Sequence, residues 1–413
     1  MSGAPDKGRA TRRQFLLGGA AAGVGAVGGA AAGATLAATA PATSPDPTAS
    51  APPALHGAST VAFHGAHQAG IATDAPAHAL FLALDLRDGV DREALGRLMR
   101  TLSDDAARLS AGRPALADTE PELAPAPANL TVTFGFGPGF VARAGGEMPA
   151  WLGPLPAFGI DRLRPEYGDG DLLLQICSDD PLTAAHAARM LLKDARSFAT
   201  VRWRQRGFRR AHGTQAPGTT MRNLFGQVDG TSNPRPGSAE FARTVWIDDG
   251  WLAGGTSVVV RRIRLDLDGW DRIDRAGREQ SVGRTLADGA PLTGGGEHDE
   301  PDLAATTPLG FPVIPAFAHL RRARGEGGGE GAAERIFRRA YNDDADPSGE
   351  EISESALVFV SFQADVHAQF VPIQQRLDEL DLLNTWTTPI GSAVFAVPPG
   401  CAPGGWIGET LLA

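Results

Sequence analysis

Stretches of apolar residues divide the chain into strand-like and helix-like segments. Residues 79–86 are apolar almost throughout, and at this length such a run indicates a strand that is buried on both faces. Residues 91–111 instead carry apolar side chains at helical spacing, which predicts an amphipathic helix. The alternation continues through the first half of the chain, with predicted strands at 129–134, 171–178 and 200–208 and a predicted helix at 181–198.

The order strand, helix, strand, strand, helix, strand is the split βαβ arrangement of ferredoxin-like folds. A similar order recurs in the second half, with predicted strands at 255–267, 356–363 and 391–397 and predicted helices at 270–283 and 365–383. We therefore predict an α+β fold of two ferredoxin-like halves, residues 61–225 and 226–413, packed sheet to sheet in a barrel-like arrangement of the dimeric α+β type. Residues 286–336 interrupt the second half as a long irregular segment, which in a compact protein is usually functional or disordered.

The first 60 residues have the composition of a targeting segment. Arg12 and Arg13 precede a Gly- and Ala-rich apolar run that reaches Ala40. Paired arginines followed by Phe and Leu favour an export signal of the twin-arginine type. A transmembrane helix is the alternative, but Gly and Ala supply little apolar area. We predict a twin-arginine signal at 1–40, a disordered linker at 41–60, and an extracellular, periplasmic or cell-envelope location without stable membrane insertion.

Composition narrows the classes of partner. The chain has 413 residues, of which 42% are hydrophobic and 21% charged, as is ordinary for a soluble globular protein. Its formal net charge of −10 argues against nucleic acid as a general partner, because nucleic acid requires a basic face. The 2 cysteines, Cys177 and Cys401, cannot form a disulfide framework, and the sequence leaves open whether they pair with each other.

Residues 226–234 are polar and rich in turn-forming residues, yet they lie between segments with core character. They read Gly-Gln-Val-Asp-Gly-Thr-Ser-Asn-Pro, so that the Asp229 carboxylate is flanked by glycines. Glycine permits a positive φ, Asn-Pro favours a turn, and Asp and Thr can hydrogen-bond to the local backbone. The pattern fits a simple Asx-type turn, and it also fits a carboxylate fixed on a rigid loop and directed into a cavity.

Two further groups have the chemistry of a catalytic or ligand site. His319 lies in the long irregular segment within Ala-His-Leu-Arg-Arg, and Arg338 follows Ile-Phe just after that segment. Taken alone, each fits a structural role as well as a functional one, since a histidine can be a satisfied core residue and an arginine a surface charge.

Together these segments resemble the dye-decolorizing peroxidase family, in particular its secreted, twin-arginine-exported bacterial branch, which includes deferrochelatase-like proteins. The similarity extends from about residue 63 to the end of the chain. The family signature G-x-x-D-G corresponds to residues 226–230. This motif alone is weak, but supporting segments occur in the same order at 63–71, 205–208, 259–264, 277–284 and 318–321.

The resemblance implies one haem b per subunit in the C-terminal half, with His319 as the proximal iron ligand. Asp229 and Arg338 would be the catalytic residues on the distal side, and Arg339 is the alternative arginine. A neutral imidazole leaves the sixth iron position open to peroxide, an aspartate can move a proton between the peroxide oxygens, and an arginine keeps its charge. Further expected cofactor contacts are Gly230, Thr231, Arg243, Leu357 and Phe359, and the expected carboxylate beside the proximal imidazole is Glu334, with Asp299 as an alternative.

The implied function is that of an enzyme, a haem peroxidase that reduces hydrogen peroxide through a ferryl intermediate. It would oxidise organic dyes, phenols or metal donors, with an acidic optimum because a free aspartate titrates near roughly pH 4. Bulky dyes would need electron transfer to the surface through exposed aromatic residues, for which the candidates are Trp246, Trp251, Trp270, Tyr341 and Trp386.

Alternative functions are a deferrochelatase that releases iron from haem, a non-enzymatic haem-binding protein of iron uptake, and, if the resemblance misleads, a non-haem enzyme. The implied partners are hydrogen peroxide, a small-molecule reductant, the twin-arginine export machinery and a second copy of the chain in a homodimer.

Overall fold

The computed structural model describes residues 55–325, 334–347 and 353–413, and Ala54–Ala413 form one compact unit. The predicted signal at 1–40 and most of the predicted linker at 41–60 lie outside the described residues. The last linker residues differ from the prediction of disorder, because the backbone carbonyls of Gly57 and Ser59 accept hydrogen bonds from Ala128 and Asn129. No helix within the described ranges is long and apolar enough to cross a membrane.

The secondary structure follows the predicted order closely. The strands are β1 (His78–Leu86), β2 (Thr131–Phe136), β3 (Leu172–Ser178), β4 (Ala199–Phe208), β5 (Met221–Arg222), β6 (Val228–Asp229), β7 (Thr256–Leu265), β8 (Phe337–Arg338), β9 (Tyr341–Asp343), β10 (Ala356–Gln363) and β11 (Thr387–Val397). The α-helices are α1 (Arg92–Ser110), α2 (Pro138–Ala144), α3 (Pro181–Ala195), α4 (Ala239–Val245), α5 (Leu267–Asp271), α6 (Arg275–Val282), α7 (His319–Arg324), α8 (Val371–Leu380) and α9 (Glu409–Leu412). A π-helical turn at Val366–Phe370 leads into α8.

Nine of the strands form one sheet that closes on itself, and β5 and β6 form a separate two-stranded sheet. The order of the large sheet is β7-β11-β2-β3-β1-β4-β9-β10-β8, and β10 pairs back onto β7. Within it, β2-β3-β1-β4 and β9-β10-β7-β11 each have the ferredoxin-like order. The halves meet edge to edge at the residue pairs Phe208–Asn342 and Ala396–Phe136. The predicted α+β, ferredoxin-like fold is confirmed, and the packing of the halves takes the form of a closed barrel.

The two faces of β1 explain why its sequence is apolar throughout. Leu80, Leu82 and Leu84 face outward and pack in the core beneath α1 and α3, whereas Phe81 and its alanine neighbours point into the barrel. Because side chains alternate along a strand, both sets can be buried only if both faces are covered. The prediction of a strand buried on both faces is confirmed.

The cysteines do not pair with each other. Both Cys177 and Cys401 are buried free thiols. Cys177 lies inside the barrel, whereas the Sγ of Cys401 lies 3.6 Å from Nδ1 of His64 in the outer core. The question that the sequence left open is therefore resolved in favour of two separate thiols.

Helices α1 and α3 carry a pair of carboxyl groups at their interface. Asp105 is 1% exposed, and the Oδ2 atom of Asp194 is buried and receives no hydrogen bond from an N–H or hydroxyl donor of the described residues. Burial, together with the adjacent Asp105 carboxyl, raises the pKa of Asp194 to about 7. The positive charges of Lys193 and Arg196 oppose this shift. The pair is therefore expected to share a proton in acid and to lose it near neutral pH.

We expect Asp194→Asn to flatten the pH dependence of thermal stability. The folded-state pKa of Asp194 lies above the unfolded value of about 4, so its stabilising contribution is complete below pH 4 and is lost as the pH rises towards 7. The wild-type midpoint of thermal unfolding should fall between pH 4.5 and 8 by more than that of the variant. Asp104→Asn, which changes an exposed carboxylate of the same helix, is the control. Equal losses in Asp194→Asn and wild type would contradict the shared proton.

Candidate active site

The outer face of β7 and β10 lines a cavity of about 260 Å³ in the C-terminal half. Helix α7, which lies in the long irregular segment, and helix α8 form its opposite wall. Arg322 of α7 and Arg376 of α8 each donate to the other's backbone carbonyl, which joins the two helices. The apolar lining comes from strand and helix residues alike and includes Ile263, Leu265, Val282, Leu357, Phe359, Phe370, Leu377 and Leu383.

His319 is the first residue of α7 and faces this cavity, where its side chain is 30% exposed. Its Nδ1 donates a hydrogen bond to Oδ2 of Asp381 at 2.5 Å. This bond leaves Nε2 as the ring nitrogen with a free lone pair. Burial disfavours the charged ring, but the Asp381 carboxylate outweighs burial, so the pKa of His319 is raised. A ring held in this way can act as an axial metal ligand.

The carboxylate beside His319 is Asp381, so the choice of Glu334 was wrong. Asp381 is 6% exposed, and its Oδ1 accepts a hydrogen bond from the backbone N–H of Leu383, which fixes the carboxylate plane. Glu334 pairs instead with Arg376, at 2.5 Å. Asp299, the alternative, accepts a hydrogen bond from the backbone of Gly296 within its own turn.

Asp229 and Arg338 line the same cavity and form an ion pair. Arg338 Nη2 lies 3.6 Å from Oδ1 of Asp229, and the two side chains are 25% and 13% exposed. Asp229 ends the short strand β6, which pairs with β5. The flanking glycines have positive φ angles, 81° at Gly226 and 121° at Gly230, as the tight turns on either side of the strand require. Both interpretations of this motif are therefore correct, because residues 226–230 form turns and also direct the Asp229 carboxylate into a cavity.

Asn233 joins the turn to the strand that carries Arg338. Its Oδ1 accepts a hydrogen bond from the Arg338 backbone N–H at 3.0 Å, and its Nδ2 donates to the Arg338 carbonyl at 2.7 Å. This side chain thus holds Asp229 and Arg338 in one unit. The sequence pointed to Asn233 only as a turn-forming residue before proline, and its 105-residue separation from Arg338 hid the contact.

The structure distinguishes the two neighbouring arginines. Arg338 lines the cavity, whereas Arg339 points the other way and is 2% exposed. The guanidinium of Arg339 donates to the backbone carbonyls of Thr73 and Asp74 in the N-terminal half. Arg338 ends β8 and Arg339 directly follows it, so the two side chains point to opposite sides of the sheet and only one of them reaches the cavity.

The other predicted contact residues divide into two groups. Thr231, Leu357 and Phe359 line the cavity, whereas Gly230 contributes its turn geometry and is not part of the lining. The prediction of Arg243 was wrong, because α4 turns its neighbours inward and leaves Arg243 exposed. Other cations do line the cavity, among them Arg284, Arg324 and Arg335.

These residues fit a haem group. A largely apolar cavity suits the porphyrin ring, and His319, hydrogen-bonded to Asp381, provides an imidazole Nε2 of the kind that binds haem iron. The lining arginines supply positive charge for propionate groups. Of the aromatic residues considered for surface electron transfer, Trp270 and Tyr341 are fully buried and therefore lack the exposure that this role requires.

Comparison with known proteins identifies the family. Models of the Dyp-type peroxidase N-terminal and C-terminal domains match residues 68–209 and 220–402. A crystal structure of a DyP-type peroxidase from Cellulomonas bogoriensis is similar with a TM-score of 0.83 and 53% identity, covering 87% of this chain and 99% of that one.

Two curated relatives carry different names. A dye-decolorizing peroxidase of Thermobifida fusca (strain YX) is 36% identical over 364 residues, which is 84% of either chain. A deferrochelatase of Yersinia pestis bv. Antiqua (strain Nepal516) is 33% identical over 370 residues, 85% of this chain and 84% of the relative. The chain therefore belongs to the Dyp-type peroxidase family, a class of haem peroxidases.

Proposed function

We propose that the chain holds one haem b per subunit in the cavity of the C-terminal half and uses it to reduce hydrogen peroxide. Organic dyes, phenols or metal ions would supply the electrons, with an optimum in acid. The observation that carries this proposal is the presence of two separate acid–base units in one apolar cavity. One is the His319–Asp381 hydrogen bond, and the other is the Asp229–Arg338 ion pair.

The His319–Asp381 unit would hold the cofactor. When bound, haem would supply the iron chemistry that cleaves the O–O bond of peroxide. His319 would bind that iron through Nε2, because Asp381 keeps the proton on Nδ1. The carboxylate also makes the imidazole a stronger electron donor, which favours the oxidised states of the metal.

The Asp229–Arg338 unit would handle the peroxide. Asp229 would accept the proton from the oxygen nearer the metal and return it to the outer oxygen, so that this oxygen departs as water. Arg338 keeps its charge and would orient the peroxide and stabilise negative charge on the departing oxygen. The Asn233 contacts keep both groups at a fixed separation during this transfer.

The same proposal extends to location and assembly. The paired arginines and the Gly/Ala-rich run at 1–40 support recognition by the twin-arginine export machinery and a place outside the cytoplasm. That pathway carries folded proteins, which suits a chain loaded with cofactor before export. A homodimer is part of the proposal as well, by similarity to the family.

Iron release from haem is the second candidate function, because one curated relative is named a deferrochelatase. In that reaction haem would be the substrate, and metal-free porphyrin would be the product. A haem carrier without enzymatic activity is the third. The Asp229–Arg338 pair favours peroxide chemistry over haem carriage, since carriage needs no proton shuttle next to a fixed positive charge. Iron release also consumes protons, because metal-free porphyrin takes up two, so the fate of the porphyrin iron distinguishes this reaction from peroxide reduction.

We expect removal of the acid–base group to slow the reaction with peroxide. Asp229→Asn keeps the shape but cannot move a proton, so the rate should fall about 10²- to 10⁴-fold. Arg338→Gln removes the fixed charge and should cost about 10²- to 10³-fold. Stopped-flow absorbance of the haem-loaded enzyme after one equivalent of peroxide measures both rates. Asp299→Asn serves as the control, and a wild-type rate in Asp229→Asn would exclude the shuttle.

We expect Asp381→Asn to raise the Fe(III)/Fe(II) reduction potential of the haem-loaded protein. The side-chain amide of asparagine accepts a weaker hydrogen bond from His319 Nδ1 than the Asp381 carboxylate does. His319 then donates less electron density to the iron, and the reduced iron is favoured. Potentiometric titration gives the shift. Glu334→Gln removes the carboxylate that pairs with Arg376 and should leave the potential unchanged. A larger shift in Glu334→Gln than in Asp381→Asn would contradict the assignment.

We expect the haem to survive turnover. With peroxide and an excess of a phenolic reductant at acidic pH, many equivalents of reductant should be oxidised for each haem, and the porphyrin should keep its iron. Absorbance of the oxidised phenol and fluorescence of metal-free porphyrin measure the two outcomes in one sample. Metal-free porphyrin in amounts comparable to the haem supplied, without phenol oxidation, would favour deferrochelatase activity.

A further inference from the structure

A second cavity, of about 370 Å³, opens at the C-terminal end of β4. It shares no lining residue with the cavity of His319. Its walls combine cationic side chains with apolar surface: Arg209, Arg210, His212 and Arg222 lie beside Phe208 and Met221. On a chain with a net charge of −10, such a concentration of positive charge needs an explanation.

Arg209 is the central cation of this cavity. Its Nε donates to the carbonyl of Ala340 at 2.9 Å, and its guanidinium lies 4.8 Å from the centre of the Tyr341 ring. Within the described part of the chain it forms no ion pair with a carboxylate, and its two terminal nitrogens donate no hydrogen bond. Burial lowers the pKa of Arg209 and the nearby Arg339 charge adds to this effect, whereas Tyr341 and the Asp229 carboxylate oppose it. The five N–H donors of an arginine in such surroundings favour an external acceptor.

The carboxylate that lines the cavity does not compensate this charge. Asp179 accepts hydrogen bonds from the Ala77 backbone and from Asn129 Nδ2, and it also pairs with His212 Nδ1 at 3.0 Å. Arg222 directs its guanidinium to the backbone carbonyls of residues 226, 286 and 287, which neutralise no charge. The pocket therefore has a surplus of positive charge.

We propose that this pocket binds a small aromatic carboxylate or sulfonate. The oxyanion would accept paired hydrogen bonds from the terminal nitrogens of Arg209, a geometry in which guanidinium and carboxylate groups match. The ring would lie against the partly buried Phe208 and the apolar surface that the buried Met221 contributes to the pocket wall. Arg210 is exposed at the rim and would add long-range attraction for anions.

The position of the pocket suggests that a bound aromatic anion serves as the reductant. Met221 pairs directly with Asp229 across the β5–β6 ladder, so the pocket lies one strand away from the acid–base group. An anionic phenol held there would be concentrated next to the site where electrons are needed. This use as a reductant site rests on the proposed peroxidase function, whereas the binding of the anion does not.

Calorimetric titration of the haem-loaded enzyme with sodium benzenesulfonate tests the binding. We expect one molecule per subunit and an unchanged haem absorption spectrum, because the ligand does not enter the haem cavity. Arg209→Gln should weaken binding about tenfold or more, the loss that a charged hydrogen-bonded pair predicts. Thr219→Trp, which places an indole at the pocket wall and keeps Arg209 in the sequence, should also prevent binding. Arg97→Gln, an exposed arginine of α1, is the matched control.

The ligand class and the functional role have separate tests. Benzyl alcohol, which lacks the charge, should not bind, and inorganic phosphate should bind more weakly than benzenesulfonate. Equal affinity for phosphate would overturn the aromatic assignment, and unchanged affinity in both Arg209→Gln and Thr219→Trp would overturn the site. In steady-state assays Arg209→Gln should raise KM for a carboxylated phenol and not for its neutral analogue. Binding without this difference in KM would overturn the role as a reductant site.

Discussion

The central constraint on this fold is that the outer face of β7 and β10 is apolar but is covered incompletely by protein. On the inner side these strands close the barrel. On the outer side Ile263, Leu357 and Phe359 line a cavity instead of packing beneath long helices like those of the N-terminal half. The apolar lining offers packing contacts to a ligand of matching shape. A planar apolar cofactor satisfies the constraint, and the chemistry of the site follows from where the cavity lies.

The polar groups of that cavity come from turns and element ends rather than from element centres. Asp229 ends a two-residue strand, His319 begins a short helix, and Asp381 caps a 3₁₀ turn. Each carboxylate has a distinct partner, so the same residue type serves two purposes. Asp381 accepts a hydrogen bond from Nδ1 of His319 and so fixes the orientation of the imidazole ring. Asp229 lies beside Arg338 and is open to the cavity.

Much of the fold could be predicted from the chain, because apolar periodicity is a local property. The runs at 79–86 and 356–363 became β1 and β10 nearly to the residue. The cavity was not visible from periodicity, and the importance of His319 became clear only through the family resemblance. Asp381 lies 62 residues from His319, and Asn233 lies 105 residues from Arg338, so no local signal joined them. The prediction of Arg243 as a cofactor contact was wrong, because the position of a residue around the helix axis, and not its charge, decides whether it faces the interior.

The most direct test of the account is the visible absorption spectrum of the purified protein and of His319→Ala, each recorded before and after one equivalent of hydrogen peroxide. The account predicts a haem Soret band in the wild type that changes on addition of peroxide, and a band that is lost or displaced in the variant. Haem bound identically in both proteins would contradict the role of His319. A wild-type spectrum that peroxide leaves unchanged would contradict the peroxidase function itself.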